Sequence, residues 1–114
     1  MKVIIAGSRT ITDKDFVYKC IEESGFDITT AIVGGAEGVD KLGEDWAKEK
    51  GIKIISVNPN WAKFGRSAGV IRNEEMAQKA DAAIVIWDGK SRGSSNMIMN
   101  AMKYGLKLKV CEKK

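Results

Sequence analysis

Thr30-Ala31-Ile32-Val33-Gly34-Gly35-Ala36-Glu37-Gly38-Val39-Asp40, continued by Lys41 through Val57, holds one complete structural unit. Thr30–Val33 is a short apolar run closed by Gly34-Gly35. Val39, Leu42, Gly43, Trp46 and Ala47 then recur at alternating intervals of three and one, which puts them on one face of a helix ending near Gly51. Lys53–Val57 is again a run of strand-forming residues. A strand, a helix and a second strand joined by short links form a crossover between parallel strands.

The same alternation extends to both sides. Lys2–Ala6 reads as a first strand ending in Gly7-Ser8-Arg9. Thr12-Asp13-Lys14-Asp15 resembles a capping box with Asp in place of Glu or Gln. Phe16, Val17, Cys20 and Ile21 follow on one helical face, with Gly25 as the stop. A helix is expected from about Gly69 to Ala80 and a strand over Ala82–Trp87, closed by Asp88-Gly89. A further helix is expected from about Ser94 to Tyr104, stopped by Gly105, and a last strand over Leu106–Cys111. Met97, Met99 and Met102 read as core filler. Five strands alternating with about four helices predict a three-layer α/β sandwich whose mainly parallel sheet is covered on both faces. No linker or repeat interrupts residues 1–114, so a single domain is expected.

Composition narrows the function. Hydrophobic residues make up 44% and charged residues 30%, ordinary values for a soluble globular chain. The net charge of +4 is too mild to argue for a long nucleic-acid footprint. No apolar run approaches the roughly 18–20 residues of a membrane span. Met1–Ala6 is too short for a secretory apolar region, so a cytoplasmic location is expected. Histidine is absent, which removes Ser-His nucleophile activation and the commonest metal ligand. Cys20 and Cys111 have neither CxxC nor metal spacing and sit in apolar contexts; they are expected to be buried free thiols, and no metal site is expected.

In open α/β sheets ligands bind beyond the C-terminal strand ends, near the point where strand order reverses. Three glycine-bearing loops follow strands: Gly7-Ser8-Arg9, Gly34 through Asp40, and Asp88 through Ser95. A fourth segment, Pro59–Asn73, is longer than a strand-to-helix link requires. It carries Trp61, Phe64, Lys63, Arg66, Arg72, Gly65 and Gly69: cations for phosphate, aromatics for stacking, glycines for close backbone approach. All four pieces are expected on one edge of the sheet. Gly34, Gly35, Ala36 and Gly38 open a helix and either seat a ligand's phosphate or ribose or simply form a tight turn around Asp40. Asp88, Gly89, Ser91, Gly93, Ser94 and Ser95 have the same logic, with a solvent loop as the alternative. Arg72-Asn73 lies in the first turns of a helix, where a cation opposes the dipole and calls for a partner: a ligand phosphate or a carboxylate such as Asp40 or Asp88. Gly7, Ser8, Arg9, Trp61 and Arg66 complete the expected binding set. Glu37, Asp40, Asp88 and Arg72 are the candidates for chemistry, as ribose contacts or to activate a water.

Taken in order, these motifs resemble the SLOG superfamily, a Rossmann-like group that includes the Lonely-guy proteins and DNA processing protein A, and within it the small YspA-type branch. The resemblance rests on the glycine-arginine loop at Gly7-Ser8-Arg9, a GGA-x-G-x-D loop at Gly34 through Asp40, and a W-x-x-x-G-x-x-A-G-x-x-R-N segment from Trp61 to Asn73. A fourth, glycine-rich motif spans Asp88 to Ser94, with serine in place of threonine. It implies a Rossmann-like fold, a nucleotide or nucleotide-derived ligand such as an NAD or ADP-ribose derivative, and self-association into a homo-oligomer. Lonely-guy enzymes cleave the N-glycosidic bond of nucleoside monophosphates. Arg72-Asn73-Glu74-Glu75-Met76 resembles one of their segments, but the glutamate of the other falls on Met97. DNA processing protein A binds single-stranded DNA, and Gly35 through Asp40 and Arg72-Asn73 echo its loops in part. A nucleotide-binding module is therefore the first expectation, a nucleotide N-glycosidase the second, and a single-stranded nucleic-acid binder the third.

Overall fold

The computed structural model describes residues 1–114. Five strands, β1 (Lys2–Gly7), β2 (Thr30–Val33), β3 (Lys53–Ser56), β4 (Ala82–Trp87) and β5 (Lys107–Glu112), form one sheet in the order β3-β2-β1-β4-β5. Every neighbouring pair is parallel. The helices are α1 (Lys14–Glu22), α2 (Val39–Glu49), a single turn α3 (Trp61–Phe64), α4 (Ala68–Lys79) and α5 (Arg92–Lys103); a 3₁₀ turn over Gly65–Ser67 joins α3 to α4.

Alternation along each strand divides the core. Val3 and Ile5 of β1 face α1 and α2 together with Val17, Ile21, Trp46 and Ala47. Ile4 and Ala6 face α4 and α5 with Met76, Ala77, Met97 and Ala101. The three layers expected from the sequence are thus present, with β1 and β4 buried on both faces. Strand order turns back between β1 and β4, so the loops leaving these two strands diverge and leave a crevice between them.

Three local expectations change. Asp13, not Thr12, caps α1: its carboxylate accepts from the Phe16 amide at 3.1 Å. Met97 is core, but Met99 and Met102 are 65% and 70% exposed, because the inward face of α5 runs through Ser94, Met97 and Ala101. Cys20 and Cys111 are not free thiols; they form a disulfide, with Cα atoms 6.7 Å apart. Register explains the pairing. Cys111 lies beside Ile86 on the sheet face that α1 covers, and Cys20 is on the inner side of α1. No helix is long and apolar enough to cross a membrane.

Candidate ligand-binding cleft

The crevice between the β1 and β4 loops opens into a cavity of about 390 Å³ at the C-terminal edge of the sheet. Its lining includes Gly7, Ser8, Arg9, Ala36, Asp40, Trp61, Arg66, Arg72, Asn73, Asp88, Ser91, Gly93 and Ser94 from the set expected from sequence. Gly34, Gly35 and Glu37 border an adjoining groove instead, and Gly89 lies at the β5 side of the Asp88 loop. Gly38 is packed beneath the Ser8 and Arg9 carbonyls, and Ser95 lies outside the cleft lining.

Ser8 ties the two central loops together. Its amide donates to Ile86 O at 3.0 Å, and its buried hydroxyl accepts from the Asp88 amide at 3.1 Å. The same Oγ lies 3.1 Å from Ser91 Oγ, which donates to Ser94 Oγ at 2.7 Å. Asp88 turns its carboxylate back on its own loop, accepting from the amides of Lys90 and Ser91 at 2.8 Å each. These amides hold its pKa below the usual carboxylate range.

Arg72 faces the β2 loop, but it meets a backbone carbonyl there and forms no ion pair with Asp40 or Asp88, the carboxylate partners expected from sequence. Its Nη1 donates to Gly34 O at 2.6 Å and its Nε to Asn73 Oδ1 at 3.0 Å. Gly34 is required by this contact: a Cβ there would run into Arg72 Nη1 and come within 2.8 Å of Asp40 Oδ2. The buried Asn73 amide carries the tie onward to α5, donating to Gly93 O at 3.1 Å and Asn96 Oδ1 at 3.0 Å. Asp40 lies under this bridge, 5% exposed, and accepts from the Ala36 amide at 3.2 Å. Burial pushes its carboxyl up to about 6, against the opposing pull of the Ala36 amide and of the Arg72 and Arg9 cations. Burial likewise pulls the Arg72 pKa down, with Asp40 opposing.

The two helix N-termini expected to seat phosphate differ. At α2 the protein supplies its own acceptors: Val39 N donates to Ser8 O at 3.3 Å, and Asp40 sits in the first turn. At α5 the N-cap residue Ser91 makes no side-chain cap, and the amides of Arg92, Gly93 and Ser94 have no acceptor in the protein. A Cβ at Gly93 would meet only open space, so packing within the protein does not require glycine there.

Of the two cations that the Asp88–Ser95 loop carries, Lys90 and Arg92, neither is in the binding set expected from sequence, yet Arg92 lines the cleft and Lys90 does not. A signal was present: the chain has only four arginines against fifteen lysines, and Arg9, Arg66 and Arg72 already belonged to the site. All four line this one cavity, and no lysine does. Every ion pair in the protein joins a lysine to a carboxylate. No group of three or more metal-ligating side chains forms.

A parallel α/β sheet whose loops diverge at the switch point, here around an arginine-lined cleft, defines a Rossmann-like domain. Residues 1–64 match the family described as YspA, cpYpsA-related SLOG, and the chain belongs to that family. It is 30% identical over 114 residues to the Gene 61 protein of Mycobacterium phage D29, a match covering 92% of this chain and 91% of that one. Its fold is similar to that of DNA processing protein A (DprA) from Streptococcus pneumoniae, with a TM-score of 0.80 at 21% identity over 99% of this chain. The match spans 50% of the DprA chain.

Proposed function

We propose that this protein binds a phosphate-bearing nucleotide or nucleotide-derived small molecule, of which an ADP-ribose or NAD derivative is one form, in the cleft at the C-terminal edge of its sheet. The observation that carries this reading is the segregation of cations. All four arginines face one cavity, while lysines make all the ion pairs. Guanidinium groups match phosphate with paired donors, and unpaired ones gathered in a crevice call for an anion. The guanidinium groups of Arg9, Arg66 and Arg92 make no hydrogen bond or ion pair within the chain, and all three line the cleft. Arg72 has two of its N–H groups already engaged. The free amides at the start of α5 add donors for the same anion. Trp61, half exposed at the rim, offers a face for a base. Membership of the SLOG family supports a nucleotide-related role.

Binding is favoured over N-glycosidic cleavage. Met97 is buried and brings no carboxylate, Asp40 and Asp88 are both engaged by backbone amides, and the one free carboxylate, Glu37, borders the adjoining groove and not the cleft. A cleft of about 390 Å³ also matches the size of a small-molecule site better than the long basic track a DNA strand needs, whatever the likeness to DprA.

Isothermal titration with AMP, ADP, ADP-ribose and a short single-stranded DNA tests this directly. At least one of the three small molecules is expected to bind more tightly than about 1 mM, a free energy of about −4 kcal/mol. Arg66→Ala and Arg92→Ala are each expected to weaken that binding about tenfold or more with the melting temperature unchanged, since a hydrogen bond to a charged group contributes about 1.5–3 kcal/mol. Arg72→Ala is expected to lower both affinity and stability, because it also holds the β2 loop. Silence from all three small molecules would refute the reading; binding of the oligonucleotide alone would replace it with the nucleic-acid one.

A further inference from the structure

Beside the cleft runs a second, more open groove bordered by Gly34, Gly35, Glu37, Asn58 and Pro59. Arg9, Ala36, Trp61 and Arg72 line both concavities and form the wall between them. The groove differs in chemistry from the cleft. It lacks the arginines at positions 66 and 92 and the α5 amides, and it contributes a carboxylate and a carboxamide.

Three carboxylates lie around the site, and the structure separates them. Asp40 is buried and accepts from the Ala36 amide. Asp88 is occupied by the Lys90 and Ser91 amides. Glu37 is exposed, accepts no hydrogen bond and forms no ion pair, although Arg9 and Arg72 border the same groove. The Asn58 side chain likewise makes no hydrogen bond. An unpaired carboxylate repels phosphate, but it accepts strongly from hydroxyl groups, two at a time when they are adjacent.

We propose that this groove is a hydroxyl-recognition subsite in which Glu37, assisted by Asn58, accepts from the adjacent 2′- and 3′-hydroxyls of a ribose whose phosphate lies across the Arg9–Arg72 wall in the cleft. The inference rests on the nucleotide reading and narrows it: the ligand is a ribonucleotide derivative with a free diol, not a deoxyribonucleotide or a DNA end. Trp61, common to both concavities, then stands where the base of that nucleotide would stack.

The test compares ADP with 2′-deoxy-ADP by isothermal titration on the wild-type protein and on Glu37→Gln and Asn58→Ala. Wild type is expected to prefer ADP about tenfold, the discrimination available when one charged acceptor loses its hydroxyl partner. Glu37→Gln is expected to reduce that preference to about twofold or less, while leaving 2′-deoxy-ADP affinity equal or slightly higher because a negative charge has gone. Asn58→Ala is expected to weaken ADP more than 2′-deoxy-ADP. Retained binding of 2′-deoxy-ADP shows that each variant is folded with its cleft intact. Equal binding of the two ligands by wild type, or equal loss of both in Glu37→Gln, would overturn the subsite and leave the nucleotide reading standing. Binding of neither ligand to any of the proteins would overturn both.

Discussion

Asp40 carries a charge that its surroundings offset only in part. Its carboxyl is pushed from an ordinary 3.8 up to about 6, so the folded chain holds that proton more tightly than the unfolded one. The stability this group contributes is therefore full below about pH 4 and is lost as pH rises through about 6. Two units correspond to about 2–3 kcal/mol. The melting temperature of wild type is expected to fall relative to that of Asp40→Asn between about pH 4.5 and pH 7; parallel curves would assign the burden to another group. Gly93 makes the opposite kind of case. It sits in the first turn of α5 with open space where a Cβ would go, so Gly93→Ala is expected to raise stability by about 0.5–1 kcal/mol. Gly93 also lines the cleft, so the added methyl group takes up space there, and titration with the ligand identified above is expected to show weaker binding. A stabilised variant with full affinity would remove α5 from the site. Gly34 was legible as a loop glycine, but its reason was not. The glycine-rich composition announced close approach, while the group that approaches is Arg72, thirty-eight positions away.

Strands and long helices were legible because each repeats a pattern that burial enforces. The apolar run from Ala82 to Trp87 became β4 with the same bounds, and the spaced apolar positions from Val39 to Ala47 became the inner face of α2. The segment between β3 and α4 was not legible in the same way. Its first turn, α3, is four residues long, is capped by Asn60 Oδ1 accepting from Lys63 N at 3.1 Å, and ends at Gly65 with a φ of +55°. One turn is too short for any periodicity to declare itself. Methionine spacing misled for a related reason: Met99 and Met102 lie three apart, as core residues do, but on the outer side of α5. The disulfide joins two elements, α1 and β5, across 91 positions. β5 is an edge strand, so this bond restrains an element that has a neighbour on one side only. Reduction, or Cys20→Ser with Cys111→Ser, is expected to lower unfolding free energy by about 2–4 kcal/mol in urea titrations. Coincident curves for the oxidised and reduced protein would show that the sheet holds β5 unaided.

Four separated pieces of chain converge on one rim of the sheet, and this convergence is what turns a set of loops into a site. Residues 7–10, 36–40, 61–73 and 88–97 all contribute to the cleft, and Asn73 and Ser8 are the buried polar links that fix them to one another. The self-association expected from the family resemblance is measured at this level by light scattering: a pair of copies doubles the 12.5 kDa of one chain. A mass that stays at one copy at every concentration would confine the site to residues of a single chain.

Periodicity and glycine placement were enough to establish the layers, the parallel sheet and the edge on which the loops gather, because alternation and helical spacing are local consequences of burying one face. Distances between residues far apart in sequence were not, because they depend on strand order and register. Only the folded chain showed that Cys111 comes to Cys20, that Arg72 clasps the β2 loop, and that Asp40 and Asp88 are spent on backbone amides while Glu37 is left free. The sequence named the carboxylates and the cations; three-dimensional packing decided which of them still have a hydrogen bond to give or receive.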